Sequence, residues 1–249
     1  MSKADLAGDF LGRNGDYIYY KVNGEVRKRK VPGKSFSKKV RKSPQFALFR
    51  SYGKIKGRSS ALGKMIRDSL EGERSGFFDM DTHYRLSGVI HQAMLKDKER
   101  FLLNKPFLYR HATALAGFKF REGMNRSVYF ADPYFAREEG SNVMKVPRIN
   151  EVTADNYQYA EVSVLVAGYD FNKIRGQVEG AVTKLIPLKE EKEGFTISLP
   201  KVDLVRSRIY LIFLQIKPFE LVNGRYVRLY NKKYQYLEII DVMQMRSLK

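Results

Sequence analysis

The chain has 249 residues, with 46 Lys or Arg against 27 Asp or Glu and a formal net charge of +19. Hydrophobic residues make up 43% of it, enough for a packed core, which excludes a wholly disordered chain, and the length suits one large or two small domains. Cysteine is absent, which removes disulfides, thiolate metal sites and cysteine nucleophiles, and so large a positive charge points to a neutralising partner: nucleic acid, an anionic membrane surface or an acidic protein.

Met1-Ser2-Lys3-Ala4-Asp5 leads into no apolar run of signal-peptide length, and the longest apolar stretches, such as Ile209–Ile216, are too short to span a bilayer. The expectation is a cytoplasmic protein, or part of a virion or other assembly made in the cytoplasm, with no membrane span. Between Phe10 and Arg67 there are 17 Lys or Arg against only Asp16 and Glu25, so most of the net charge lies in this segment.

Asp16 to Val31 reads as a β-hairpin. Tyr17-Ile18-Tyr19-Tyr20-Lys21-Val22 has strand composition, Asn23-Gly24 is a type I′ turn signal, and the return strand carries Arg27-Lys28-Arg29-Lys30. Side chains alternate faces along a strand, so four consecutive cations put charge on both faces, and both faces of the hairpin cannot enter a core. Lys34 to Lys42, rich in Ser and Lys with Phe36 as its one aromatic, reads as an extended arm. Phosphates neutralised by these cations would release counterions, and tyrosines beside them offer stacking surfaces. The plainer alternatives are tyrosines that pack the hairpin onto the body and cations that keep a strand edge from aggregating. The candidate nucleic-acid-binding residues are Tyr19, Tyr20, Arg27, Lys28, Arg29, Lys30, Lys34, Lys38, Lys39, Arg41, Lys42, Arg50, Lys54, Lys56 and Arg58.

Ser43-Pro44 fits an N-cap followed by proline in the first helical turn. Phe46, Phe49, Tyr52, Ile55, Leu62, Ile66 and Leu70 then recur at helical spacing, with a weak patch at Gly57-Arg58-Ser59-Ser60, so one interrupted helix or two short ones are expected. A second helix is expected from about Thr82 to Asn104, ended by Lys105-Pro106. Two such helices alone are marginal and should pack on a sheet.

From Phe107 the pattern turns to short apolar or alternating runs. Expected strands are 117–121, 127–130, 150–152, 159–169, 177–185, 195–199, 208–217, 225–229 and 236–243, with Asn223-Gly224 a second hairpin signal. The expected fold is mainly β with some α: an antiparallel β-sandwich or jelly-roll-like body, residues 106–249, preceded by a basic hairpin and arm, 1–42, and a helical segment, 43–105.

Catalytic and cofactor motifs are scarce. His83, His91 and His111 have no partner at ligand spacing, and the acids of Asp79-Met80-Asp81-Thr82-His83 sit where helix capping explains them. No nucleophile elbow, P-loop or dinucleotide fingerprint occurs. No cofactor, metal or enzymatic activity is expected.

Three groups of residues carry a resemblance: Gly12-Arg13-Asn14-Gly15 with Tyr19 to Gly24 and the basic strand, Arg41 to Phe46 leading through Arg50 to Gly63-Lys64-Met65-Ile66-Arg67, and Leu221 to Tyr226 with Tyr236 to Ile240. In these the chain resembles an uncharacterised group of proteins from bacteria of the Bacteroidota phylum. The resemblance implies a bacterial or phage origin and the order basic hairpin, helices, sandwich. It implies no activity.

The leading expectation is a nucleic-acid-binding or packaging protein. One alternative is a self-assembling subunit, a homo-oligomer or polymer, whose arm interlocks with neighbours. Another is a carbohydrate- or protein-binding sandwich with Tyr134, Phe135, Tyr157 and Tyr159 at its site.

Overall fold

Asn23 and Gly24 both adopt positive φ, +52° and +85°, as a type I′ turn requires, and join two of the three strands that open the chain. A computed structural model describes residues 11–70, 72, 77–103, 105–123, 125–138, 141–150, 157–188, 193–205, 207–231 and 234–244. The chain divides into two units, Met1–Gly53 and Lys54–Lys249.

In the first unit β1 (Gly12–Asn14), β2 (Tyr17–Val22) and β3 (Glu25–Lys30) form an antiparallel ribbon in that order. The segment expected to be an extended arm is instead helix α1 (Lys34–Lys42). Its Lys/Ser composition hid an apolar pair one turn apart, Phe36 and Val40, and its last turn holds Lys39, Arg41 and Lys42, where cations favour the negative end of the helix dipole. Ser43 is extended, as expected of an N-cap, and Pro44 opens a 3₁₀ turn to Phe46, although the Ser43 side chain makes no capping bond. Helix α2 (Ala47–Ser69) starts in this unit and runs on unbroken through Gly57-Arg58-Ser59-Ser60, without the expected interruption.

The second unit is built on one core. Ile55, Leu62 and Ile66 of α2 and Leu86 and Ile90 of α3 (Thr82–Leu95) join it from the helices. Gly63 of α2 faces α3, where a Cβ would make ordinary contact, 3.4 Å from the Ser87 backbone nitrogen. The expected single helix over 82–104 is divided: α3 stops at Leu95, and α4 (Lys98–Leu102) follows a break at Asp97, which leaves helical geometry (φ −129°, ψ 44°). The Asp97 carboxylate turns to Arg110 and His111 of α5 (Tyr109–Ala112).

The strands are β4 (Phe118–Lys119), β5 (Tyr134–Glu138), β6 (Ser141–Arg148), β7 (Tyr159–Asp170), β8 (Arg175–Pro187), β9 (Glu193–Ser198), β10 (Ile209–Val222), β11 (Arg225–Arg228) and β12 (Tyr236–Gln244). They make a six-stranded antiparallel sheet, β4-β12-β10-β7-β8 with β11 on β10, and a three-stranded sheet, β5-β6-β9. One expected strand is absent, since 126–128 is a 3₁₀ turn capped by the Asn125 side chain; of the strand expected at 150–152, Asn150 lies outside the strands and residues 151 and 152 fall outside the described residues.

Central strands β7 and β10 are buried along nearly their whole length, so both faces of the large sheet are covered. On one face Tyr169 shares a hydrogen bond with Ser69 of α2, and Phe213 meets Phe120 beside the helices. On the other, Lys184 lies over Phe195 of β9, and the Tyr210 hydroxyl accepts from the Val205 backbone nitrogen. The body is therefore helices, large sheet and small sheet in layers, mainly β as expected. Pro218 sits where β10 changes partner from β12 to β11, so its missing N–H removes no bond from a continuous ladder.

Candidate nucleic-acid interface

The register of the ribbon sets each cation of β3 opposite an aromatic or aliphatic side chain rather than another charge. Arg27 pairs with Tyr20, Lys28 with Tyr19, Arg29 with Ile18 and Lys30 with Tyr17. Across the diagonals Lys28 Nζ lies 5.6 Å from the Tyr17 ring centroid and the Arg29 guanidinium 5.8 Å from that of Tyr20. Such contacts contribute about 0.5–1 kcal/mol at exposed sites and hold the cations out from the strand. Tyr17 and Tyr20 are exposed and Tyr19 half-buried, so none of the three is a core residue.

No described residue from Leu11 to Gly53 is buried. Within that stretch 12 Lys or Arg face two acids, Asp16 and Glu25, and Glu25 pairs with Arg27 at 3.4 Å. In α1, Lys38, Arg41 and Lys42 fall on one side of the helix and Phe36 and Val40 on the other, with Phe36 edge-on to Phe46 at 6.0 Å. Lys39 is exposed on the flank, and Lys34 is described through its backbone in the first turn.

Two of the expected residues do other things. Arg50 is half-buried and donates from Nη1 to the Val40 and Ser43 carbonyls, at 2.7 and 2.8 Å. It closes the C-terminal end of α1, where carbonyls lack intrahelical partners, and its guanidinium is committed there. Arg58 donates to the Asn172 side chain at 3.1 Å and lies over the Phe101 ring at 5.7 Å, and burial pushes its guanidinium below its ordinary pKa. It is a structural residue of the body. Lys54 and Lys56 are exposed on α2 but belong to the second unit.

The body's polar groups are largely occupied with one another. Asp79 accepts from Thr82, Arg85 and the Glu122 backbone nitrogen; partial burial raises its pKa, but these donors outweigh that and leave it below its ordinary value. Asp79 is thus engaged in structure, whereas Asp81, at the N-cap of α3, makes no side-chain capping bond, contrary to the expectation that capping explains both acids. His111 Nδ1 accepts from the Leu108 backbone nitrogen, which assigns the ring proton to Nε2 facing Asp97 at 3.2 Å. Glu238 is the one buried carboxylate among the described residues, and it is bound by Arg126 at 2.7 Å and by the Tyr236 hydroxyl. No group of three His, Asp or Glu suited to a metal ion occurs among the described residues, and no described helix is long and apolar enough to cross a membrane.

The aromatics considered for a sandwich binding site do not gather. Tyr157 is buried beside Tyr129 and Tyr234, Tyr159 packs edge-on against Tyr226, and Tyr134 and Phe135 lie on β5 at the edge of the small sheet. A cavity of about 820 Å³ lies between α3 and β4 and is lined by Arg85, Phe118, Lys119 and Arg121 among others. Sequence reading did not single it out, since its walls come together only in the fold. Compared with known protein families, curated proteins and solved structures, the chain matches none.

Proposed function

We propose that the protein binds nucleic acid without catalysis, through the ribbon and α1. The observation that carries this reading is a stretch without a buried residue whose cations stand on both faces of the ribbon and continue along one side of α1. Strand β3 is an edge, and cations on an edge discourage pairing with other chains. A helix has no such edge, so the same protection does not explain Lys38, Arg41 and Lys42. Phosphates suit both elements, because each neutralised phosphate releases counterions. The interface then comprises Tyr19, Tyr20, Arg27, Lys28, Arg29, Lys30, Lys38, Lys39, Arg41 and Lys42, without Arg50 and Arg58. Arbitrary DNA or RNA should bind at low salt and weaken steeply as salt rises. Equal affinity at low and high salt contradicts the reading.

A second reading is supported by exposed apolar residues in the same unit. Phe36, Leu48 and Phe49 are 49%, 62% and 67% exposed. They suit a neighbouring subunit better than a phosphate, in an assembly held by the first unit. Size exclusion and negative-stain microscopy at high concentration then show particles or fibres; a strict monomer contradicts it.

A further inference from the structure

The pairing register sorts the ribbon's cations by type as well as by face. Tyr17, Tyr19, Lys28 and Lys30 share one face, and Ile18, Tyr20, Arg27 and Arg29 share the other, joined there by Arg13 through its pairing with Ile18. One face is a lysine face and the other an arginine face. Strand β1 pairs only with Tyr17 to Tyr19, so the distal half of the ribbon is two-stranded.

Charge is also graded along the length. The turn and its closing pair, Val22-Asn23-Gly24-Glu25, contain no cation; Lys21, opposite Val26, is the first on the lysine face, and Arg27 to Lys30 follow behind it. At about 3.4 Å per residue, Arg27 and Lys28 stand roughly 10–14 Å back from Gly24.

A ribbon lying flat on phosphates uses one face. Cations on both faces, set back from an uncharged-to-acidic tip, match a slot with two phosphate walls and a floor of base edges. The major groove of B-form DNA is about 12 Å wide and about 8.5 Å deep and admits a two-stranded ribbon. With the tip on the floor, Arg27 and Lys28 reach the rim, where the phosphates are. The minor groove, about 6 Å wide, is too narrow, the major groove of duplex RNA is too deep and narrow, and a single strand offers no second wall.

Resting on the nucleic-acid reading above, the geometry points to insertion of the hairpin tip Val22–Val26 into the major groove of duplex DNA. Arg27 and Arg29 face one phosphate wall, and Lys21, Lys28 and Lys30 face the other. Asn23, Glu25 and the two valines meet the groove floor, where a carboxylate accepts from the cytosine amino group and valine methyls pack on thymine methyls.

The test is fluorescence anisotropy of the whole protein with a short DNA duplex, the RNA duplex of the same sequence and the DNA single strand, over a series of salt concentrations. The DNA duplex should bind about tenfold or more tighter than either alternative, because only it offers a groove of the right width. The pairs R27A/R29A and K28A/K30A should each lower the slope of log affinity against log salt by about 1.8, at about 0.9 per phosphate contact. Both pairs replace exposed residues, and thermal unfolding of each variant checks that the body is intact. Equal affinity for the three nucleic acids, or a slope change confined to one pair, overturns groove insertion while leaving the nucleic-acid reading standing. Absence of binding to all three at low salt overturns both.

Discussion

The two units hold nearly the same net positive charge by opposite arrangements. Met1–Gly53 carries 13 Lys or Arg and four Asp or Glu, and Lys54–Lys249 carries 33 and 23. In the longer unit cations meet acids across the fold, as in Arg85 with Asp79, Arg126 with Glu238, Arg208 with Glu179 and Lys217 with Glu161. In the shorter one the ion pair Arg27–Glu25 joins neighbours within a single strand, Lys28 and Arg29 lie over tyrosines, and Arg50 bonds the carbonyls that end α1. On the proposed reading stability is located in the body and binding in the first unit, and substitutions should separate the two.

The largest expected effect is on stability. Phe213 is fully buried on β10, and Phe213→Ala should cost about 3–5 kcal/mol in denaturant unfolding. Affinity for nucleic acid, measured under conditions where the variant is folded, should be unchanged. A parallel loss of affinity would extend the interface into the body and break the division.

Arg58→Ala should destabilise the body by about 1–2 kcal/mol through loss of its bond to Asn172 and its packing on Phe101, with no change in salt dependence. A lowered salt slope would return Arg58 to the interface. Arg50→Ala should release the Val40 and Ser43 carbonyls at a cost of about 1 kcal/mol, seen as faster amide exchange across the last turn of α1 and a modest loss of affinity.

The smallest effect is a pH dependence confined to the body. Burial holds the His111 imidazole below its ordinary value near 6.5, partly offset by Asp97. The unfolded chain takes up that proton first as pH falls, so stability is present above about pH 6.5 and declines through the interval below it. His111→Gln should flatten that decline in thermal melts at pH 7 and pH 5, on top of the acid sensitivity of the carboxylates.

Local signals made much of this fold legible. The Asn-Gly pairs gave both hairpins because few residues other than Gly and Asn tolerate positive φ, and β7 and β10 were readable from apolar runs too long for a loop. Two strands of the small sheet were not: Tyr134–Glu138 and Ser141–Arg148 mix charge, an internal proline and only partial burial, so no period stands out. Helix α1 was hidden because its C-terminal end is closed by Arg50, ten residues beyond Val40. The basic ribbon was legible from its Asn-Gly turn, strand composition and charge density, whereas excluding Arg58 required a partner 114 residues away in sequence. Charge composition locates a candidate surface; the register decides which cations share a face.

The most direct test of the division is the salt dependence of binding to a DNA duplex, compared between the native protein, the variant R27A/K28A/R29A/K30A and Arg58→Ala. Loss of four phosphate contacts should lower the log–log slope by about 3.6, at about 0.9 for each, while Arg58→Ala retains the native slope. An unchanged slope in the fourfold variant, or affinity of the native protein that does not vary with salt, contradicts the account.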